Sequence, residues 1–263
     1  MLDRLLYRDA PLRLASRVRN VEGMRVHERF AERAGAPTAV LVHGIGVSSR
    51  YFLPTAGFLA QKCSVYVPDL PGFGRSGRLR GRATVDRLTE ALRAWLDAAE
   101  LARPDVLVAN SFGCQLAVEL AVRRPERVAR LVLVGPTVDR RARSLVRQTG
   151  RLAVDLTREP LALLAIEGVD YALHLAKAGV AGFVEMVRDP VEEKLPRVLA
   201  PTLVVRGSRD PIVPRVWAEE FAALVPDGRV TEVPGAPHAV NYAAPAALAR
   251  LTLDFLATSG RSA

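Results

Sequence analysis

Short apolar runs alternate with amphipathic stretches along most of the chain. The runs lie at residues 38–42, 64–67, 106–109, 128–134 and 202–206. Stretches with apolar residues at helical spacing lie between or after them, at 53–61, 85–99, 112–123, 216–224 and 245–257. A strand that is apolar at nearly every position is typical of a parallel sheet buried on both faces. The pattern therefore predicts an α/β fold, with a mostly parallel sheet and helices on both of its faces.

Two segments depart from this pattern. Residues 24–30 alternate between apolar and polar side chains, which predicts a half-exposed antiparallel strand at a sheet edge, with His27 on its polar side. Between residues 137 and 199 we predict no strand, only helices over 140–156, 161–178 and 183–187. The second of these helices is more apolar than a helix with one wet face needs. It either covers a sheet edge or a substrate cavity, or it packs as ordinary core.

The composition is that of an ordinary globular protein, with 49% hydrophobic and 25% charged residues among 263. No apolar run approaches the roughly 18 residues of a membrane span. The first 20 residues mix leucine with arginine and aspartate and lack the apolar core and cleavage site of a secretory signal. We therefore expect no membrane span and a cytoplasmic location.

The net charge of +9 raises the question of nucleic-acid binding. All but three of the 37 basic residues are arginine, and they are spread along the chain without a long basic run or interleaved aromatic residues. This distribution favours solvated faces over a nucleic-acid partner. The two cysteines, Cys63 and Cys114, are not spaced as metal ligands, so we expect buried free thiols and no metal site.

One apolar run ends in a serine between small residues. The run 106–109 leads to Ser111 and then directly to an amphipathic stretch. Ala109 and Gly113, two positions before and after the serine, leave room for a backbone that doubles back from a strand into a helix. Such a turn exposes the hydroxyl above the sheet, beside the free N–H groups of the helix. A helix N-cap is the alternative interpretation of a serine in this place.

Asp210 and His238 share a positional property with Ser111. Asp210 follows the predicted strand over 202–206, and His238 follows a further strand that we predict over 229–233. Each thus lies just past the C-terminal end of a predicted strand, where sites assemble in open α/β sheets. A serine hydroxyl is a poor nucleophile at neutral pH, but a neutral imidazole can take its proton, and a carboxylate orients the imidazole and stabilises its charged form. The order Ser, Asp, His along the chain is that of one known catalytic arrangement.

These residues belong to a set of motifs that resembles the α/β-hydrolase family over nearly the full length of the chain. The motifs, in family order, are His43-Gly44-Ile45-Gly46, Asp69-Leu70-Pro71-Gly72-Phe73-Gly74-Arg75-Ser76, the turn at Ser111, Gly207-Ser208-Arg209-Asp210 and Pro237-His238. The resemblance implies an α/β-hydrolase fold with an eight-stranded, mostly parallel sheet. It also implies a core formed by residues 1–136 and 200–263, with residues 137–199 inserted as a helical cap.

The same resemblance implies a catalytic triad, with Ser111 as the nucleophile, His238 as the general base and then acid, and Asp210 as its orienting partner. It places an oxyanion hole at the backbone N–H groups of Ile45 and Phe112. Asp139 is a rival for the acid, because some relatives use the strand before the cap. We favour Asp210 for its Gly-x-x-Asp-Pro-x-Val-Pro setting, which fits the family better.

Three further residues are candidate substrate contacts. His43 and Gly44 belong to the loop of the predicted oxyanion hole, and bonding of the His43 ring to that loop is the alternative interpretation. Asn110 resembles its counterpart in the Gly-Asn-Ser-Met-Gly turn of carbon–carbon bond hydrolases that act on ring-cleavage products. Ala109 stands where the family more often has glycine, and we expect no loss of function from it.

The resulting hypothesis is a serine hydrolase that needs no cofactor and cleaves a small or medium carboxylic ester through an acyl-enzyme. The alternative is a carbon–carbon bond hydrolase with the same triad. Its substrates carry a carboxylate, for which Arg151 and Arg188 are candidate partners. A ligand receptor on the same fold is a third hypothesis. We expect a small-molecule substrate, and a monomer or homodimer.

Overall fold

A single eight-stranded sheet organises the protein. The structure is a computed structural model that describes residues 10–79, 81–174 and 180–258. The strands are β1 (Ala15–Val21), β2 (Met24–Ala31), β3 (Thr38–Val42), β4 (Ser64–Pro68), β5 (Val106–Asn110), β6 (Leu131–Val134), β7 (Thr202–Gly207) and β8 (Gly228–Val233). Their order across the sheet is β1-β2-β4-β3-β5-β6-β7-β8.

Most neighbours in the sheet are parallel. Strand β2 pairs antiparallel with both β1 and β4, and every pair from β4 to β8 is parallel. The carboxyl ends of the parallel strands therefore meet along one edge of the sheet, where an α/β fold assembles its sites. The predicted fold, a mostly parallel eight-stranded sheet, is confirmed.

The prediction that residues 24–30 form an edge strand is wrong. Strand β1 covers that edge, with Val18 opposite His27 in the register. Its sequence carries no apolar run, because its side chains are mostly exposed and include Arg17 and Arg19. His27 is accordingly buried rather than on a polar face, and its Nδ1 lies 2.8 Å from Asp69 Oδ2.

Helices follow most of the parallel strands. Those in the described part of the chain are α1 (Leu53–Leu59), α2 (Val85–Ala98), α3 (Phe112–Arg123), α4 (Leu145–Leu156), α5 (Leu161–His174), α6 (Val180–Arg188), α7 (Val191–Lys194), α8 (Arg215–Leu224), α9 (Val240–Ala243) and α10 (Pro245–Thr258). Residues of α2, α3 and α8 share one core on one face of the sheet. Residues of α1 and α10 share a second core on the other face.

Strand β5 shows why the apolar runs are continuous. Leu107 and Ala109 belong to the first core, and Val106 and Val108 belong to the second. Successive side chains of a strand point to opposite faces. Since both faces are covered by helices, each position of the strand needs an apolar residue.

Between β6 and β7 the described residues form the helices α4 to α7 and no strand, as the sequence predicts. The last four positions of the helix predicted over 161–178 lie outside the described residues. Leu163 and Ile166 of α5 are buried in the same core as α1 and α10. The apolar character of α5 therefore reflects, in part, ordinary core packing.

Buried hydrogen bonds join segment 137–199 to the rest of the fold. Gln115 of α3 donates from Nε2 to the carbonyl oxygen of Met186 at 2.9 Å. Ser48, in the loop after β3, donates from Oγ to Asp170 Oδ2 at 2.7 Å. Gln115, Ser48 and Asp170 are all buried. Segment 137–199 is thus held at α3 and at the loop after β3, above the carboxyl ends of the central strands.

The structure bears on two predictions from composition, those on membrane-spanning helices and on the two cysteines. Within the described ranges, no helix combines the length and the apolar character that a membrane crossing requires. Cys63 and Cys114 are buried free thiols, as predicted.

Candidate active site

Ser111 lies at the sharp turn between β5 and α3. Its backbone has φ 54° and ψ −122°, a conformation that costs a residue other than glycine on the order of 1–3 kcal/mol. The Ser111 N–H donates to the carbonyl oxygen of Val134 at 2.9 Å, which ties the turn to β6. The Ser111 side chain makes no capping hydrogen bond. The strand-to-helix turn is therefore as predicted, and Ser111 is not a conventional N-cap.

Close packing explains the small residues around this turn. A Cβ atom at Gly113 would lie 2.6 Å from the carbonyl oxygen of Val42 and 2.7 Å from that of His43. Both contacts are with backbone atoms, which cannot move aside as a flexible side chain can. Ala109 is fully buried on the other side of the turn. The absence of a side chain at Gly113 allows α3 to begin directly against the end of β3.

The loop after β3 lies against the serine turn. A Cβ atom at Gly44 would be 3.1 Å from the Cβ of Ser111 and 3.4 Å from Asn110 Oδ1. Gly44, Ile45, Asn110 and Ser111 all line one cavity. Phe112 is the buried first residue of α3, at the helix end where N–H groups lack partners within the helix. Four of the predicted site residues therefore meet at this cavity, with Phe112 directly behind Ser111.

His43 does not take the position of a substrate contact. Its ring is fully buried. Nδ1 lies 2.8 Å from the carbonyl oxygen of Gly44, and Nε2 accepts the N–H of Leu70 at 3.0 Å. Both ring nitrogens bond to atoms of the protein, so the ring is not free to contact a substrate as predicted. The structure agrees with the alternative interpretation, in which the His43 ring bonds to the loop. The ring fixes the loop that carries Gly44 and Ile45.

His238 and Asp210 form a buried pair. His238 Nδ1 lies 2.8 Å from Asp210 Oδ2. The other oxygen, Oδ1, accepts the N–H groups of Ile212 at 2.7 Å and Val213 at 2.9 Å. In the described structure His238 Nε2 is buried without a hydrogen-bond partner, and His238 lines the same cavity as Ser111. The structure thus brings His238 and Ser111 to one cavity, with Asp210 behind the imidazole.

Asp139, the rival carboxylate, is engaged elsewhere. Its Oδ1 accepts the backbone N–H of Arg141 at 3.0 Å, and its Oδ2 accepts Nη2 of Arg151 at 3.1 Å. Arg151 also donates from Nη1 to the carbonyl oxygen of Ile212 at 3.0 Å. Asp139 therefore anchors the start of segment 137–199, whereas Asp210 holds the His238 imidazole.

Two carboxyl groups of segment 137–199 hold the backbone beside His238, and sequence reasoning did not single them out. The His238 N–H donates to Asp155 Oδ1 at 3.3 Å, and the Ala239 N–H donates to Glu159 Oε1 at 2.9 Å. Both carboxyl side chains belong to buried residues. Their spacing of four residues, at the end of an amphipathic helix, is a weak signal that they share a side. Only the contact of α4 and of the turn that follows it with the loop after β8 gives them these partners.

The acidic surroundings determine the protonation of His238. Burial by itself would lower the pKa of this imidazole, because it disfavours the charged form. The charge and hydrogen bond of Asp210, followed by the charges of Asp155 and Glu159, outweigh burial and raise the pKa of His238 to about 9. Burial raises the pKa of Asp155 from its ordinary value and raises that of Glu159 to about 8.

The cavity that contains Ser111 and His238 has a volume of about 380 Å³, which lies in the range of small-molecule sites. It is bounded by the loop after β3, the end of β5 and helices of segment 137–199. Its apolar wall includes Ile45, Val47, Leu152, Phe183, Met186 and Ile212. Two carboxyl side chains, Asp155 and Glu167, also line it.

A model of the alpha/beta hydrolase family matches residues 39–251, which is most of the chain. The chain belongs to this family. In this hydrolase the matched range contains the serine turn, the loop after β3 and the Asp210–His238 pair. Within residues 10–79, 81–174 and 180–258, no cluster of His, Cys, Asp or Glu side chains is arranged to hold a metal ion.

Comparison with known proteins gives relatives of several kinds. The hydrolase is 29% identical over 246 residues to the dihydrolipoyllysine-residue acetyltransferase component of the acetoin cleaving system of Pseudomonas putida, covering 84% of this chain and 64% of that protein. It is 43% identical over 100 residues to 2-hydroxymuconate semialdehyde hydrolase of Pseudomonas putida, covering 37% of this chain and 35% of that protein. The chain thus spans less than two thirds of the length of these relatives.

Among solved structures, the hydrolase is similar to a membrane phospholipase A described as a bacterial virulence factor. The TM-score is 0.83 at 22% identity, and the match covers 99% of this chain and 91% of that chain. At this identity the likeness shows a shared fold.

The electrostatics around His238 can be tested directly by NMR titration of ¹⁵N-histidine-labelled protein. We expect the His238 ring to titrate near pH 9, because Asp210, Asp155 and Glu159 favour its charged form. Asp155→Asn keeps an acceptor for the His238 N–H but removes a charge, so the midpoint should fall by roughly one unit. Asp254→Asn, at an exposed position of α10, is the matched control and should leave the midpoint unchanged. A midpoint at or below 6.5 in the unaltered protein would contradict this account.

Proposed function

We propose that the protein is a serine hydrolase that cleaves a small or medium carboxylic ester without a cofactor, with Ser111, His238 and Asp210 as its catalytic triad. The observation that carries the proposal is the convergence on one cavity of a strained serine and a histidine whose other nitrogen is held by a buried carboxylate. In this assignment segment 137–199 is a helical cap on a core of residues 1–136 and 200–263. A cytoplasmic location and a monomeric or homodimeric state stay predictions.

In the first half of the proposed reaction, Ser111 attacks the ester carbonyl. Neutral His238 takes the serine proton at Nε2, and Asp210 stabilises the imidazolium through Nδ1. The negative charge that develops on the carbonyl oxygen is received by the backbone N–H groups of Ile45 and Phe112. One such donor is typically worth about 3 kcal/mol of transition-state stabilisation. Collapse of the tetrahedral intermediate, with His238 now protonating the leaving alcohol, forms the acyl-enzyme.

The second half repeats these steps with water. His238 deprotonates a water molecule, which attacks the acyl carbon, and the imidazolium then returns its proton to Ser111. Because His238 must be neutral to act as the base, its raised pKa implies that kcat/KM increases as the pH rises from 7 towards about 9.

The cavity favours an ester over the ring-cleavage alternative. Among its described lining residues there is neither arginine nor lysine to receive a substrate carboxylate. Arg151, a candidate for that role, is held by Asp139 and the carbonyl oxygen of Ile212. Arg188, the other candidate, lines a separate depression with Arg143. The mostly apolar wall suits an acyl or alcohol chain instead.

A carbon–carbon bond hydrolase is retained as the second candidate because of one comparison. The chain is 43% identical to 2-hydroxymuconate semialdehyde hydrolase over 100 residues, whereas it is 29% identical to the acetyltransferase component over 246 residues. Asn110, whose Nδ2 donates to the carbonyl oxygen of Val134 at 3.2 Å, lines the cavity next to Ser111. Both candidates require the same triad, so substrate assays must separate them.

A series of p-nitrophenyl esters tests the ester proposal. We expect kcat/KM to be highest for acyl chains of about four to eight carbons, since a cavity of this size cannot enclose a long chain. Ser111→Ala should lower kcat by at least about a thousandfold. Ser16→Ala, at an exposed position of β1, is the control and should keep full activity. If the wild type and Ser111→Ala are equally inert on every ester, while the wild type cleaves a ring-fission product, the ester proposal is wrong.

The identity of the acid is tested by two matched substitutions. Asp210→Asn should reduce kcat at least about a hundredfold, because the amide neither fixes the tautomer of His238 nor stabilises its charge. Asp139→Asn should change kcat by less than about tenfold, because its partners are Arg141 and Arg151. Steady-state kinetics on one ester measure both effects. The opposite ranking would move the role of the acid to Asp139.

A further inference from the structure

Glu167 is a charged side chain of α5 that lines the cavity. Its exposure is 7%, so it is more than nine-tenths buried. In the described structure its Oε2 atom is shielded from solvent and has no hydrogen-bond partner. A buried carboxyl oxygen without a partner is unfavourable, and more so when the group is charged. The site thus contains an acceptor that the protein itself leaves unsatisfied.

The rest of the cavity wall makes this acceptor part of an acidic site. Asp155 of α4 lines the same cavity at 3% exposure, and its Oδ1 accepts the backbone N–H of His238 at 3.3 Å. The described lining residues include no arginine or lysine. Among the described lining residues, His238 is the group that can carry positive charge, and it faces two carboxyl groups, those of Asp155 and Glu167.

Protonation of Glu167 near neutral pH removes only part of its negative charge. Burial raises the pKa of Glu167 to about 7, with added effects of the Asp155 and Asp170 charges that exceed the opposite effect of His238. Near neutral pH the carboxyl is therefore close to half ionised. A cation bound beside it would favour the ionised form and offset its buried charge, and a protonated amine would also donate the missing hydrogen bond.

We propose that Glu167, with Asp155, forms a subsite for a positively charged amine, so that the enzyme prefers esters whose acyl or alcohol part carries a protonated or quaternary nitrogen. This inference rests on the proposed function, since it assigns the substrate class of that same cavity. The amine nitrogen would lie against Glu167 while the ester carbonyl faces Ser111. The apolar wall, including Leu152 and Phe183, would contact the chain between them.

Binding without turnover tests the subsite, with isothermal titration calorimetry on the Ser111→Ala variant at pH 7.5. The acyl-side probes are methyl 4-(trimethylammonio)butanoate, its neutral isostere methyl 5,5-dimethylhexanoate, and monomethyl glutarate as the anion. The alcohol-side probes are butyrylcholine and its neutral isostere 3,3-dimethylbutyl butyrate. We expect the cation of at least one pair to bind at least about tenfold more tightly than its isostere, and the anion to bind most weakly.

Substitution of Glu167 identifies the source of the preference. Added to Ser111→Ala, Glu167→Gln should reduce the ratio of the two dissociation constants to below about threefold. The matched control, Glu185→Gln, changes a partly buried glutamate of α6 that is not among the cavity-lining residues, and should keep the ratio. An unchanged ratio in a folded Glu167→Gln protein would overturn the proposal.

Binding to the Ser111→Ala protein tests the subsite by itself, whether or not the Glu167→Gln protein folds. Equal binding of the cation and its isostere in both pairs, or tighter binding of monomethyl glutarate, would overturn the subsite. Turnover separates this failure from failure of the proposed function. A wild type that hydrolyses the neutral esters but shows no preference for cations in binding retains its assigned reaction and loses the subsite. A wild type that hydrolyses no ester loses the assigned reaction, whatever the calorimetry shows.

Discussion

The backbone of Ser111, held at φ 54° and ψ −122°, is the constraint on which the candidate site depends. This conformation is unfavourable by itself, so the surrounding structure must impose it. Two features impose it: the Ser111 N–H bonds to the carbonyl oxygen of Val134, and α3 begins at the next residue. Gly113 is a consequence of the same constraint, because a Cβ atom there would meet the backbone at the end of β3. Once the turn is formed, the serine hydroxyl faces the cavity above the sheet.

The parallel sheet brings the partners of Ser111 to the same place. Asp210 follows β7 and His238 follows β8, so both lie at the edge where the serine turn ends β5. Their contact, at 2.8 Å between Oδ2 and Nδ1, is protected from water by burial of both side chains. In segment 137–199, the carboxyl groups of Asp155 and Glu159 accept the backbone N–H groups of His238 and Ala239. The proposed cap therefore shapes the electrostatics of the site as well as its cavity.

Sequence reasoning predicts those parts of the molecule that follow from local pattern. The buried strands and the serine turn are of this kind, since period, apolar runs and small residues are visible along the chain. The edge strand β1 is missed because its exposed, arginine-bearing side chains carry no apolar signal, and its pairing with β2 is a tertiary effect. The sequence assigns His43 to the correct loop. It does not show the hydrogen bonds of the ring, because one of them comes from Leu70 in a neighbouring loop. Asp155 and Glu167 gain their importance only when helices far along the chain fold over His238.

Covalent labelling of Ser111 tests the central claim, that a strained serine is activated by His238 in this cavity, most directly. A fluorophosphonate probe followed by intact-mass spectrometry and peptide mapping should give one adduct per chain, on Ser111. His238→Ala should slow its formation by at least about a hundredfold, because the hydroxyl then lacks its base. An adduct on another residue, or equal labelling rates for the wild type and His238→Ala, would contradict the account.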